Sequence, residues 1–398
     1  MMAMMLIASA TAFAGDSDAL KAIKKAKTYD EAAQLLKTAQ LANDEEKAAA
    51  YNKLVDLAMN KVSKETGTLA QNQANQQLGT GKIEPYDTLG MADAICNAIS
   101  AAIECNKYDQ LPNAKGKVAP KYDKKNAERI WPVRSHLVNI GQDVVRTHGN
   151  AVALKYWGAF LDSASDPLFA EQNHEPEKAY IGQVAYFAGR YAMEAKDLAR
   201  ADKYFDIAMQ DPEMKKDALN SKLYAHRSNL QTRADSLQFI ETLKGLYEKD
   251  PENDVVLDAL YSFYDGMKDK AAQTALLDNH LAKFPNSYTA LANKGVMAMN
   301  DNNAEEGAKW LRQAAAANGE NPVVFYYLGL CLNVQAGNTE DTAKRKQLFQ
   351  EAVEAFDRAK ELDPDKQQAS WGYLRYQAYY GLYGEDDPRT KAAQADIR

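Results

Sequence analysis

The chain has 398 residues, 46% of them hydrophobic and 26% charged, with 21 Gly and 12 Pro. That composition is globular, since disorder needs fewer apolar residues and collagen far more glycine. The formal net charge of -7 leaves no cationic excess to neutralise phosphates, so no nucleic-acid partner is expected; three Cys are too few for a disulfide framework.

Met1 to Ala14 is a short apolar stretch that ends in Ala12-Phe13-Ala14, ahead of Gly15-Asp16. Small residues around one bulky residue fit a signal-peptide cleavage site. The expectation is a signal peptide over 1–14, cleavage after Ala14 and a periplasmic or secreted protein. The usual opening basic residue is missing, because the first Lys is Lys21; the Met1-Met2 and Met4-Met5 pairs suggest a start inside a longer natural signal. The alternative is a buried first helix, for which only Ser9 and Thr11 offer a polar face. No later run approaches the ~20 apolar residues of a membrane span, so no transmembrane segment is expected in the mature protein.

Residues 15–134 predict an irregular helical cap. Thr28-Tyr29-Asp30-Glu31 is a capping box before Ala32, Leu35, Leu36 and Ala39, which share one helical face. Asn43 to Glu46 repeats the signal, and Tyr51, Leu54, Val55, Ala58, Met59 and Val62 follow at helical spacing. Residues 66–87 are polar and carry Gly67, Gly79, Gly81 and Pro85, which predicts a loop or a broken helix. A helix follows over Leu89 to Asn106, and then a long connection over 107–126 with Pro112, Gly116 and Pro120.

From 135 onward the prolines keep time. Pro167, Pro212, Pro251, Pro285, Pro322, Pro364 and Pro388 each follow Asp, Asn or Phe. They recur at roughly 34 to 45 residues until a shorter last step, the range of helical repeats. Pro ends a helix and pushes the residue before it out of the α region, so each marks a corner between helices. Gly141, Gly189, Gly295 and Gly329 lie inside helix-like stretches, where glycine is unfavourable unless a second helix comes close. A small residue follows twelve positions later in three cases: Ala153, Ala201 and Gly307. For Gly329 it is Ala352, after a polar insertion near 335–347.

These residues resemble the tetratricopeptide repeat family, whose pattern runs W-x2-L-G-x2-Y, then A-x3-F, then P. Leu328-Gly329 carries the L-G step, and Ala352, Phe356, Ala359 and Pro364 match the second helix in register. Ala201, Phe205, Ala208 and Pro212 match with one residue missing. Gly307, Leu311, Ala314 and Pro322 match more loosely, and Ala153, Trp157 and Phe160 form a divergent copy. Trp371 and Leu374 open a last, incomplete unit. Two repeats between Pro212 and Pro285 rest on spacing alone. The resemblance implies an all-α fold: a right-handed α-solenoid of tetratricopeptide-like helix pairs over 135–385, behind the atypical cap and before a C-terminal tail at 386–398.

Chemistry is sparse. His136, His148, His174, His226 and His280 include no pair three or four residues apart, so no helical metal face forms. Gly79-Thr80-Gly81-Lys82 lacks the first glycine and the final Ser or Thr of a phosphate loop, standing instead beside Gln76 and Ile83. Cys96 and Cys105, nine residues apart on one helix, would lie ~13.5 Å apart on opposite faces, too far for a disulfide. They and Cys331 read as inert thiols. No catalytic residue, metal ligand or cofactor site is predicted.

Two features remain. From Lys115 to Arg134 seven basic residues face only Asp123 and Glu128, which is a solvated loop by default and otherwise a surface for an acidic partner. Tyrosines are frequent in the first helices. The resemblance implies that those helices line a groove, with positions -3, +1 and +4 from each small residue sharing one face. That face carries Tyr186, Arg190 and Met193; then Tyr326, Leu330 and Asn333; then Tyr376 and Tyr379 beside Arg375. The first functional reading is a non-enzymatic scaffold of the bacterial envelope that binds a protein or peptide in this groove. The second is a carbohydrate or small-ligand accessory protein, marked by aromatics gathered in one pocket. The third is a hydrolytic enzyme, which needs side chains that the spacing hides.

Overall fold

The computed structural model describes residues 15–397 apart from 114, so the signal-peptide expectation for 1–14 lies outside the described residues. Among the described residues every regular element is helical, with nineteen α-helices and four short 3-10 turns. The described residues form two compact units, divided between His226 and Arg227. None of the described helices is long and apolar enough to cross a membrane.

The first unit begins with α1 (Asp18–Lys25) and α2 (Tyr29–Thr38), followed by a hairpin of two long helices, α3 (Asp44–Leu78) and α4 (Thr88–Asp109). The Asn43 side chain accepts the Glu46 N–H at 2.9 Å, and Asp44, Glu45 and Glu46 place negative charge against the positive end of α3. Val55, Ala58 and Val62 of α3 and Ala92, Ile95, Ala98 and Ala102 of α4 are buried in one core. The break expected at 66–87 does not occur at 66: α3 continues to Leu78 and stops at Gly79, whose φ of 62° is the left-handed cap that glycine tolerates. The physical reason is a side-chain staple. Asn72 donates to the Glu84 carbonyl (2.7 Å) and accepts the Glu84 N–H (2.9 Å), while Asn75 donates to Lys82 O (3.1 Å). The returning strand of chain thus holds a polar stretch helical. Gly79-Thr80-Gly81-Lys82 is the turn beyond that cap.

After α5 (Asp123–Ile130) the helices come in pairs. The first unit holds α6 (His136–His148) with α7 (Asn150–Ala164), α8 (Ile181–Glu194) with α9 (Leu198–Ala208), and most of α10 (Lys215–Ser228). The second unit holds α11 (Arg233–Lys249), then α12 (Asp254–Gly266) with α13 (Lys270–Lys283), α14 (Tyr288–Asn300) with α15 (Ala304–Ala317), α16 (Pro322–Asn338) with α17 (Thr342–Leu362), and α18 (Trp371–Tyr383) with α19 (Pro388–Gln394). The sequence expectation of an all-α fold built from helix pairs holds, including the pair α12 and α13 that rested on spacing alone.

The glycine seam differs from expectation in one respect. At Gly189 a Cβ would meet not Ala201 but the Phe205 ring, at 2.7–3.2 Å; at Gly329 it would meet the Phe356 ring at 2.6–2.8 Å. At Gly141 the Trp157 indole occupies that space. A helical side chain leans back over the preceding turn, so the large residue four places after the small one fills the notch. Ala153, Ala201 and Ala352 are themselves buried, as are Phe356 and Ala359, and they let the helices approach. Only the Gly295 and Gly307 pair meets directly, each Cβ position falling 3.2–3.3 Å from the other glycine's carbonyl. Pro364 follows the last residue of α17 and its cap, Asp363, as a corner should.

Residues 386–398, expected as a tail, are folded through 397. They form α19 and a 3-10 turn, and Asp396 bonds Lys360 (2.9 Å) and Arg375 (2.7 Å). The carboxylate neutralises two cations of the preceding helices, so this segment completes the last pair.

Candidate binding cleft between two first helices

In the first unit a cavity of about 590 Å³ opens between α6 and α8. Its α6 wall carries Val138, Asn139, Gln142, Val145 and Arg146. Its α8 wall carries Gln183, Val184, Phe187 and Tyr191, and Tyr180 lies just before that helix. Trp157 reaches in from α7.

Local sequence explains the cleft. Gly141 leaves the notch that admits the Trp157 indole, and Trp157 Nε1 donates to the Val138 carbonyl at 2.9 Å. Where other pairs place Phe or Leu at this position, the larger indole extends to Tyr191 and stacks on it, with ring centres 5.6 Å apart and planes 6° from parallel. Phe187 lies 6.5 Å from the same indole. Burial raises the Tyr180 and Tyr191 phenols above their ordinary value, so both stay neutral donors and acceptors. Asn139, Gln142, Gln183 and Arg146 are exposed at the rim.

The connection that delivers Tyr180 is held from below. Arg134 is fully buried just before α6. Its guanidinium donates to Ser163 Oγ (2.7 Å), the Phe160 carbonyl (2.8 Å) and Glu177 Oε1 (2.8 Å). The rings of Trp131, Phe160 and Phe169 surround it at 4.0–5.7 Å. A buried ion is tolerable only when paired and hydrogen-bonded in this way. Glu177 Oε2 is buried without a partner among the described residues.

This placement corrects the basic run. Arg134 is structural and not exposed. Arg129 pairs with Asp56 (2.7 Å) and Lys121 with Glu45 (2.8 Å). Only Arg129 and Arg134 are thus drawn into the fold, while Lys115, Lys117, Lys121, Lys124 and Lys125 stay exposed.

The tyrosine face divides. Tyr186 is half-buried, tilted against Phe205 at 6.4 Å with Arg190 over its ring at 6.0 Å; Met193 is half-buried, and Arg190 alone of the three is exposed. In the second unit Tyr326 is half-buried edge-on to Tyr327 at 5.1 Å. Asn333 donates to the Leu374 carbonyl at 2.9 Å, which makes it a clip between α16 and α18. Tyr379 points inward: it is 9% exposed and donates to Asp357 at 2.8 Å, and burial with that acceptor pushes its phenol up to about 12. Arg375, in the glycine position, donates to the same Asp357 at 2.7 Å. Tyr373 and Tyr380, 55% and 49% exposed, with half-buried Tyr376, form the outer side of α18.

The cleft itself was not among the expected site residues. The same -3, +1 and +4 rule, applied at Gly141, names Val138, Gln142 and Val145, all of which line it. The signal was present at the most divergent copy of the pattern.

Cys105 and Cys331 are buried, and burial pushes their thiols up to about 12 and about 11. No group of three His, Cys, Asp or Glu side chains converges among the described residues.

No protein-family model matches the chain, and no curated protein matches its sequence. Solved structures do. The human IFIT1 dimer with m7Gppp-AAAA matches at 11% identity and a TM-score of 0.38, over 76% of this chain and 68% of that one. A circular tandem repeat protein with novel repeat topology and enhanced subunit contact surfaces matches at 11% identity and a TM-score of 0.22, over 96% of this chain and 86% of that one.

Proposed function

We propose that the chain is a non-enzymatic scaffold of tetratricopeptide-like repeats, exported to the bacterial envelope, that binds a protein segment or peptide on the faces of its first helices. The observation that carries this reading is the α6–α8 cleft, about 590 Å³ with an apolar floor and a polar rim. Recessed apolar surfaces with a few convergent polar groups are where proteins bind ligands, and large semi-rigid aromatics supply most interface energy. The cleft lining has no Asp, Glu, His or Cys; its titratable side chains are Arg146, Tyr180 and Tyr191.

A second reading is favoured by one observation: Trp157, Tyr180, Phe187 and Tyr191 gather in one cavity instead of spreading along the helices. Such a cluster also suits a ring-bearing small ligand, including a sugar.

Binding of the purified chain to peptide and glycan arrays tests both readings, with Gln142→Trp as the control that closes the rim. Peptides that lose binding in Gln142→Trp, at unchanged melting temperature, support the scaffold reading. Glycans that do so support the second. Binding indifferent to Gln142→Trp would remove the cleft from either. N-terminal sequencing of envelope-fraction protein checks export, with Gly15 as the expected first residue.

A further inference from the structure

We propose that the connection 110–122 between α4 and α5, with the first turn of α5, is an anchor for an anionic lipid surface. Lys115, Lys117 and Lys125 meet the headgroup charge, and Leu111 and Val118 enter the boundary between headgroups and acyl chains. This surface lies outside the α6–α8 cleft and stands whatever that cleft binds.

Two kinds of side chain are exposed together here. From Gln110 to Tyr122 the chain carries Lys115, Lys117 and Lys121 and no carboxylate, and Lys124 and Lys125 follow in the first turn of α5. All five lysines are exposed. Among them stand two aliphatic side chains that the fold leaves in water, Leu111 at 42% and Val118 at 55% exposure. Lysines are drawn by the negative potential of a headgroup layer, and apolar groups gain by leaving water at the same depth. Lysines alone would suit any polyanion; the two aliphatics favour a lipid surface over a soluble acidic chain.

The charge is free to act. The carboxylates around the loop are already engaged: Asp44 by Lys47 (2.9 Å), Glu45 by Lys121 (2.8 Å), and Asp109 by the N–H groups of Lys121, Tyr122 and Asp123 at 2.7–3.3 Å. Asp123 accepts from Gln110 Nε2 (3.2 Å) and from the Lys124 N–H (2.6 Å), and Glu128 stands 3.9 Å from Lys124. Lys115, Lys117 and Lys125 make no ion pair among the described residues. The net charge of -7 opposes approach to an anionic surface, but that field is screened beyond about 8 Å at physiological salt. Attraction is therefore local to this loop.

The loop is also built in advance. The Asn113 N–H donates to the Lys117 carbonyl (2.9 Å) and the Gly116 N–H to the Asn113 carbonyl (2.8 Å). Asn113 Oδ1 accepts the N–H groups of Lys115 (2.9 Å) and Lys117 (3.2 Å). The chain thus folds back on itself, which brings the Leu111 and Val118 ends of the turn together above the base that Asp109 clamps. A preformed turn loses less conformational freedom on docking than a slack one. The other exposed aliphatic pair of this unit, Leu78 and Ile83, provides the contrast: Lys82 beside it is paired with Glu84 at 3.4 Å. That tip has apolar surface without free positive charge.

The experiment is co-sedimentation of the whole purified chain with phosphatidylcholine vesicles, with and without phosphatidylglycerol, and thermal melts monitor folding. Binding is expected on the anionic vesicles only, and it should weaken as salt is raised from about 0.15 M to about 1 M, where the screening length falls to about 3 Å. Lys115→Gln and Lys117→Gln should each lower the partition coefficient about fivefold, the scale of one lysine close to an anionic surface. Val118→Ser should lower it about threefold or more through lost apolar contact, and Ile83→Ser should leave it unchanged, all at unchanged melting temperature. No binding to anionic vesicles, equal binding to both vesicle types, or binding that survives the double lysine variant overturns the proposal. So does an Ile83→Ser loss equal to that of Val118→Ser. If soluble polyglutamate binds through the same lysines and Val118→Ser sediments like wild type, the loop serves a soluble acidic chain and the lipid assignment falls.

Discussion

Two helix pairs of the second unit reach similar architecture with different seams. Between α16 and α17, Gly329 receives the Phe356 ring, and Leu328, Leu332, Ala352, Val353 and Ala359 are buried around it. Between α12 and α13 there is no glycine notch. Buried Val256, Leu257 and Leu260 stand with Leu277, Gln273 and His280. Gln273 has to reach Asp265 (3.2 Å), and His280 takes Tyr247 as partner (2.7 Å). Repeat spacing is enough to place a helix pair, while the residues at the seam decide how tightly it closes. Polar groups in the second seam need hydrogen bonds merely to offset their burial.

The contrast breaks most sharply at Phe356. Phe356→Ala leaves the Gly329 notch empty and should cost about 3–5 kcal/mol, read by denaturant unfolding. A loss below about 1 kcal/mol would mean that the ring does not close the seam. Next comes Gly329→Leu, expected to cost about 1–3 kcal/mol through overpacking of the notch that the Phe356 ring already fills. Even Gly329→Ala should lower the melting temperature, because three ring carbons lie 2.6–2.8 Å from its Cβ position. Crowding there outweighs the gain in helix propensity.

Hydrogen exchange sharpens the comparison without mutation. Amides of α12 and α13 should open at lower free energy than those of α16 and α17, by about 1.4 kcal/mol or one decade in exchange rate. Equal protection would show that the polar seam is as firm as the apolar one.

The smallest effect is pH dependence. Burial holds the His280 pKa below its ordinary value, with Lys283 adding to that and Asp254 and Glu252 opposing it. The unfolded chain then binds the proton first as pH falls. The His280 contribution is full above about pH 6.5, the unfolded value, and is lost as pH drops from there through the folded value. Exchange protection of α12 and α13 should weaken between pH 7.5 and 5.5, that of α16 and α17 much less, and His280→Gln should flatten the difference.

The helix pairs were legible because proline and glycine act locally: each constrains the backbone wherever it stands. Their contacts were less so. Gly189 was matched to Ala201, but the direction of a helical side chain puts the Phe205 ring into the notch, one turn further along the sequence. The helical run past Gly67 was hidden because Asn72 and Asn75 look like loop residues until Glu84 and Lys82 return to meet them. Among the tyrosines, Tyr379 turned inward because an arginine, not a glycine, occupies position 375 and shares Asp357 with it. The cleft escaped notice because its floor is a substitution, Trp157 standing where other copies carry Phe or Leu.

That substitution makes one side chain serve two purposes. Trp157 is 6% exposed, anchors α7 to α6 through Val138, and is also the stacking partner of Tyr191 in the cleft. A smaller residue at 157 loosens the pair and erases the floor together. Asn139, Gln142, Arg146 and Gln183 are exposed at the rim and carry no such double duty, so a change there alters the surface of the cleft without loosening the pair.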